Sequence, residues 1–165
     1  MEHVEILTLL SQGENRSNRF KKNVFNSGAL ASEIVAFSNG EGGRLFIGVD
    51  SVGTLVGLSK RDVQRINPLI SSAAGSLVSP PVSVITQVTI IEGRRILILE
   101  VPKGTDSPYQ DSQGMFWVMS SCGKRKATSR EEIQSLFIAS GKIRADVAPS
   151  GLPVSDLEAP YFSQF

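Results

Sequence analysis

Leu45-Phe46-Ile47-Gly48-Val49 is a nearly continuous apolar run framed by turn formers, and it limits the fold more than any other segment. Asn39-Gly40-Glu41-Gly42-Gly43 stands before it and Asp50-Ser51-Val52-Gly53 after it. A run this short, bounded this way, reads as a buried strand from Arg44 to Asp50. Thr54 to Leu58 then returns as the second arm of a hairpin. A parallel doubly wound sheet needs strict alternation of strand and helix, so a hairpin here argues for an α+β fold instead.

The remaining periodicities agree with that class. Val4, Leu7, Leu9 and Leu10 make a loosely amphipathic first helix that Gly13 ends, followed by a short extended piece with Phe20, Val24 and Phe25. Ser27 serves as N-cap for a second helix with Leu30, Ile34, Val35 and Phe37 as its apolar stripe, and Asn39-Gly40 supplies a left-handed stop. Ser59 caps a third helix through Val63, Ile66, Leu69 and Ile70, where Pro68 is expected to kink it. Val82 to Ile91, Arg95 to Val101 and Met115 to Met119 read as strands, and Ser129-Arg130-Glu131-Glu132 is a capping box opening a last helix, Ile133 to Ala139. The expected architecture is α+β, with a mixed, mostly antiparallel sheet and helices. Residues 1–143 read as one domain, and residues 144–165, with proline and glycine from Ala148 onward, as a linker to a C-terminal domain.

Composition removes whole classes of chemistry. With 165 residues, 41% of them hydrophobic, the chain suffices for one domain with its own core. Cys122 is the only cysteine and His3 the only histidine, which rules out an internal disulfide and a Cys/His zinc set. The same count removes Ser-His-Asp and Cys-His catalysis unless the terminal His3 were the base. No segment approaches the roughly 18 to 20 apolar residues of a membrane helix, and the N-terminus lacks a basic region followed by an apolar run. A cytoplasmic protein with no membrane partner is expected.

Net charge is +1, but the charges are unevenly placed. Between Asn15 and Asn26 lie Arg16, Arg19, Lys21 and Lys22 with no acid, and between Ser112 and Arg130 lie Lys124, Arg125, Lys126 and Arg130, again with none. Residues 1–142 hold 16 bases against 13 acids, a modest excess that permits a local phosphate-binding face. Tyr109, Phe116 and Trp117 lie just upstream of the second window. Aromatics beside cations stack bases while the cations hold phosphates, although a half-buried strand explains the same residues. Strand alternation turns one of Phe116 and Trp117 to the core and the other outward.

The glycines of Asn39 to Gly43 invite a phosphate-loop reading, but their order is helix, glycines, strand, the reverse of a Walker loop. Gly123-Lys124 and Gly141-Lys142 lack the following Ser/Thr. Among carboxylates, Glu14 and Asp50 are the candidates for a divalent-ion pair, with a helix end and a turn residue as the simpler account of each.

Taken in order, these motifs resemble the Schlafen/AlbA-like DNA-binding domain family from Glu14 to about Ile138. The carriers are Gly13-Glu14 before Phe20-Lys21; the helix Ala29 to Asn39; Glu41-Gly42-Gly43-Arg44-Leu45-Phe46-Ile47-Gly48-Val49-Asp50; Gly53-Thr54-Leu55-Val56-Gly57-Leu58; Val101-Pro102-Lys103-Gly104; and Gly123-Lys124-Arg125-Lys126 before Arg130-Glu131-Glu132. The resemblance implies the N-terminal domain of a longer prokaryotic protein, of the kind labelled transcriptional regulator or RecG-like helicase-related. It also implies a three-carboxylate nuclease site in some members, which this sequence matches at Glu14 and Asp50 but replaces with Arg19 in the middle. A cation there repels a divalent ion, so hydrolysis would need another acid such as Glu41. The expectation is therefore a nucleic-acid-binding module, for DNA rather than RNA, in which Arg19, Lys21, Lys22, Lys124, Arg125 and Lys126 contact phosphates and Trp117 or Tyr109 stacks bases. No cofactor is expected, a divalent cation entering only with the nuclease reading. A homodimer and the C-terminal domain are further expected partners. A protein-interaction or dimerisation module is the third reading. Neutralising about four to six phosphates would give a log-log salt slope of roughly −4 to −5.

Overall fold

The structure, a computed structural model, describes residues 2–106 and 108–139; the linker expected over 144–165 lies outside them. The elements run α1 (His3–Gln12), β1 (Asn18–Lys21), α2 (Ser27–Asn39), β2 (Gly43–Ile47), α3 (Lys60–Ser76), β3 (Val78–Ser79), β4 (Ile85–Ile91), β5 (Arg94–Val101), β6 (Gln110–Asp111), β7 (Trp117–Ser120), β8 (Gly123–Lys126) and α4 (Arg130–Ala139). Four strands form a sheet in the order β1-β2-β5-β4, and β3-β6 and β7-β8 make two small antiparallel ladders. Only β1 and β2 run parallel; the other pairs are antiparallel, so the fold is the expected α+β with a mixed, mostly antiparallel sheet.

Strand alternation divides the core into two layers. Leu45 and Ile47 of β2 point with Leu97 and Leu99 of β5 toward α2 and α3, where they meet Ile34, Phe37, Ile66 and Ile70. Phe46 turns the other way and packs with Ile96, Ile98 and Phe20 against Ile6 and Leu10 of α1. The Phe20 and Phe46 rings meet edge to face with centroids 5.8 Å apart. Each such fully buried side chain contributes about 1.5–3 kcal/mol.

α2 is buried from Leu30 through Ser38, not along one stripe, because the sheet, α3 and the β7-β8 hairpin enclose it. Ala31, Ser32, Ala36 and Ser38 are the small residues that let these neighbours approach. The N-cap is Asn26 rather than Ser27: its side chain accepts from the Ala29 amide at 3.1 Å. Gly40 has φ −105° and is no left-handed stop; the left-handed residue of that segment is Gly42, at φ +80°.

Three other expectations are corrected. Thr54 to Leu58 forms no strand, only a bridge between Val49 and Leu55. The Val56 and Gly57 amides both donate to the Gly48 carbonyl and Leu58 donates to Arg95, so the segment peels away from β2 toward β5. The basic segment after Cys122, where no strand was expected, is strand β8, paired with β7. α3 runs unbroken through Pro68, where the sequence suggested a kink.

Ser59 caps α3 as expected, in a reciprocal box with Asp62. The Ser59 amide, and then Arg65, hold the Asp62 carboxyl at about 2, below its usual 3.8. A depressed acid pKa stabilises the fold above the unfolded value and loses that contribution as pH falls through the folded one. The expected result is an Asp62 carboxyl NMR midpoint near 2, with the Ser59 amide shift moving in step. A midpoint near 4 would show that the box is not formed. No helix among the described residues is long and apolar enough to cross a membrane.

Candidate functional site

Alternation along β1 buries Phe20 beside α1 and turns Arg19 and Lys21 to the other side of the sheet. There lies Glu33, a glutamate of α2 that is only 5% exposed. Its Oε1 is 3.5 Å from Lys21 Nζ and 3.6 Å from Lys124 Nζ, the latter reaching in from β8. Lys124 also donates to the Ala29 carbonyl at 3.4 Å. Arg19 pairs with Glu14 at 3.4 Å and lies against Gly123, where a Cβ would stand 3.0 Å from its Nη2. Two basic windows a hundred residues apart in the chain thus meet around one buried carboxylate. Burial, and then the Lys21 and Arg19 charges, push the Lys124 amine below its ordinary range against the opposing pull of Glu33.

The register of the hairpin arranges the rest. Trp117 stands opposite Lys126 and Met119 opposite Lys124, so these four share one face. Met119 is buried, and the half-buried Trp117 packs on the core while Lys124 and Lys126 stand 5.7 and 5.6 Å from its ring. The indole N–H donates to Asp111 at 2.9 Å, which fixes the ring's edge. Phe116 takes the opposite side of the strand and meets Phe137 of α4 at 6.3 Å between centroids. Arg125, also on that opposite side, is ion-paired with Glu132. Lys22 is exposed and takes part in no ion pair among the described residues.

Tyr109, expected as an alternative stacking residue, lies in the core. It is 4% exposed, its ring lies over Gly104, its hydroxyl accepts from the Asp106 amide, and its own amide donates to Asn39 at 2.6 Å. Asn39 also donates to the carbonyls of Tyr109 and Trp117, fastening the hairpin to the end of α2.

The acids of the nuclease reading are otherwise engaged. Glu14 Oε1 accepts from the Phe20 amide at 2.9 Å, Asp50 Oδ1 accepts from the Val52 and Thr54 amides at 3.0 and 2.8 Å, and Glu41 pairs with Lys103 at 3.4 Å. Among the described residues no group of three or more His, Cys, Asp or Glu side chains is placed to hold a metal ion. A cleft of about 530 Å³ is lined by Ser17, Glu41, Arg44, Glu100 and Lys103 and contains none of the basic residues predicted to bind phosphate.

Two features escaped the sequence reading. Glu33 is one; its signal was the one charged residue in the helix Ser27–Asn39. The other is Phe25, 74% exposed, with the Arg65 guanidinium 4.4 Å from its ring centroid. Arg65 also donates to Asp62, Asn23 and the Val24 carbonyl, which orients its guanidinium. A lone phenylalanine in an extended piece carries no such signal by itself.

The sequence profile of the Schlafen, AlbA_2 family matches residues 14–128. The chain belongs to that family. The AlbA_2 match begins at Glu14 and ends two residues beyond β8, so it takes in every side chain of the Glu33 cluster. No curated protein matches the chain. Among the solved structures that share its fold are the following two. One is a crystal structure of a Corynebacterium diphtheriae protein, at TM-score 0.58 and 19% identity, covering 83% of this chain and 27% of that one. The other is a solution structure of the N-terminal domain of an ATP-dependent DNA helicase RecG-related protein from Nitrosomonas europaea, at TM-score 0.52 and 23% identity, covering 67% of this chain and 80% of that one. The chain therefore spans about a quarter of the length of the Corynebacterium protein.

Proposed function

We propose that this AlbA_2 domain is a nucleic-acid-binding module, with DNA as its first ligand, within a larger protein whose other part follows residue 143. The observation that carries the reading is the convergence of Lys21 and Lys124 on Glu33, which puts both acid-free windows on one face. Lys126 and the Trp117 rim extend that face, and Phe25 on Arg65 offers an exposed ring for an unpaired base. The RecG-related likeness agrees with a nucleic-acid setting.

Glu14, Glu33 and Glu132 already hold Arg19, Lys21, Lys124 and Arg125. Fewer cations are then free for phosphate than a count of lysines and arginines suggests. With about three phosphates neutralised, the log-log salt slope is expected nearer −3 than −5. Anisotropy titrations with single- and double-stranded DNA and RNA at 50 and 200 mM salt test this. Lys124→Ala with Lys126→Ala is expected to weaken binding about 10-fold or more and to flatten the slope by about 1 to 2. Absence of binding to all four ligands at low salt, or a slope near zero, would overturn the proposal.

A further inference from the structure

We propose that the outer edge of β4 is a self-association surface, on which a second copy of this chain pairs β4 to β4, antiparallel, joining two four-stranded sheets into one of eight. The inference is independent of the nucleic-acid reading.

β4 ends the sheet order, so no other described strand pairs with its outer side. Exposed edges are ordinarily blunted by lysine, proline or inward-pointing charge. Ile85-Thr86-Gln87-Val88-Thr89-Ile90-Ile91 has none of these over seven residues. Instead Ile85, Val88 and Ile90 are 64, 46 and 52% exposed. Three of the eight large exposed hydrophobic side chains among the described residues therefore lie on this one strand.

The strand is also complementary to itself. Full antiparallel overlap puts the twofold axis at Val88, opposing Val88 to Val88, Gln87 to Thr89, Thr86 to Ile90 and Ile85 to Ile91. β-Branched residues meet β-branched residues or an amide meets a hydroxyl, and no like charges oppose. The opposite edge of the sheet explains why such pairing closes at two copies. β1 is four residues long, presents Arg19 and Lys21, and has its Phe20 amide taken by Glu14. With one edge protected and the other open, the contact is isologous and does not propagate. A single pair of seven-residue strands buries less than the roughly 800 Å² per partner of a standard interface, so a dimer in the micromolar range is expected.

Sedimentation of the whole chain from about 5 to 500 μM tests the proposal, a range chosen to bracket that affinity. The mass is expected to move from 17.8 kDa toward twice that value as concentration rises. Val88→Lys puts two ammonium groups face to face on the axis and is expected to hold the protein at monomer mass with its circular dichroism unchanged. In a Cys122→Ser background, Val88→Cys is expected to cross-link to itself under mild oxidation, whereas Val52→Cys, in the turn after β2, is not. This second readout stands even if the lysine variant unfolds. A single monomer mass over the whole range overturns the proposal, as does doubling that Val88→Lys leaves intact or that occurs without the Val88→Cys cross-link.

Discussion

Gly42→Ala is expected to destabilise the domain by about 3–5 kcal/mol, because no side-chain movement can make room for the methyl group. Gly42 has φ +80°, a conformation that costs an alanine about 1–2 kcal/mol. The added Cβ would stand 2.7 Å from both the Lys103 amide nitrogen and the Val101 carbonyl oxygen and 3.0 Å from the Pro102 carbonyl carbon. All three are backbone atoms at the end of β5, which would have to move. Gly75→Ala is the matched contrast: that glycine lies in α3, has no atom within 4 Å of its would-be Cβ and has no left-handed φ, so the same change should stabilise by up to about 1 kcal/mol. Urea unfolding of both variants checks the pair, and a Gly42→Ala midpoint close to wild type would show that β2 and the Val101–Lys103 turn are not packed as described. The result also bears on the glycine-rich segment, whose close approach to another backbone accounts for Gly42 without a phosphate ligand.

Glu33→Gln is expected to move stability and binding in opposite directions. Breaking a fully buried ion pair costs about 3–5 kcal/mol, but Lys21 and Lys124 both retain access to water, so about 1–2 kcal/mol is the expected loss. The same change frees two ammonium groups for phosphate. One added phosphate contact at about 0.1 M salt is worth roughly 10-fold in affinity and steepens the salt slope by about 0.9. Thermal unfolding and anisotropy titration on one preparation read both effects. Weaker binding by a folded Glu33→Gln would mean that Glu33 positions the lysines for the ligand rather than withholding them. Unchanged binding would place the ligand elsewhere.

Much of the fold was legible because the patterns behind it are local. The apolar run at Leu45–Val49, the Ser59 cap with Asp62 and the strand at Arg95–Val101 each satisfy a rule that reads a few adjacent residues. Thr54–Leu58 misled because it carries strand-like residues, while its path is set by the Gly48 and Arg95 carbonyls, neither of which a five-residue window contains. β8 was missed for a related reason: Lys124-Arg125-Lys126 has no alternation of polarity, and becomes a strand because Trp117 to Ser120 lies alongside. Tyr109 looked like an aromatic beside cations, and nothing in its neighbours announces that Asn39 and Gly104 would draw it inward.

The sequence by itself determined the class of the fold, the two basic windows, the family likeness from Glu14 onward and the shortage of acids at the middle nuclease position. All of these follow from residue identity and short-range order. The tertiary structure alone decided that the two windows share Glu33, that Arg19, Lys21, Lys124 and Arg125 already have carboxylate partners, and that β4 is left open while β1 is protected. Each of these depends on which strand lies beside which, a pairing made between residues tens of positions apart, where chain identity carries no distance.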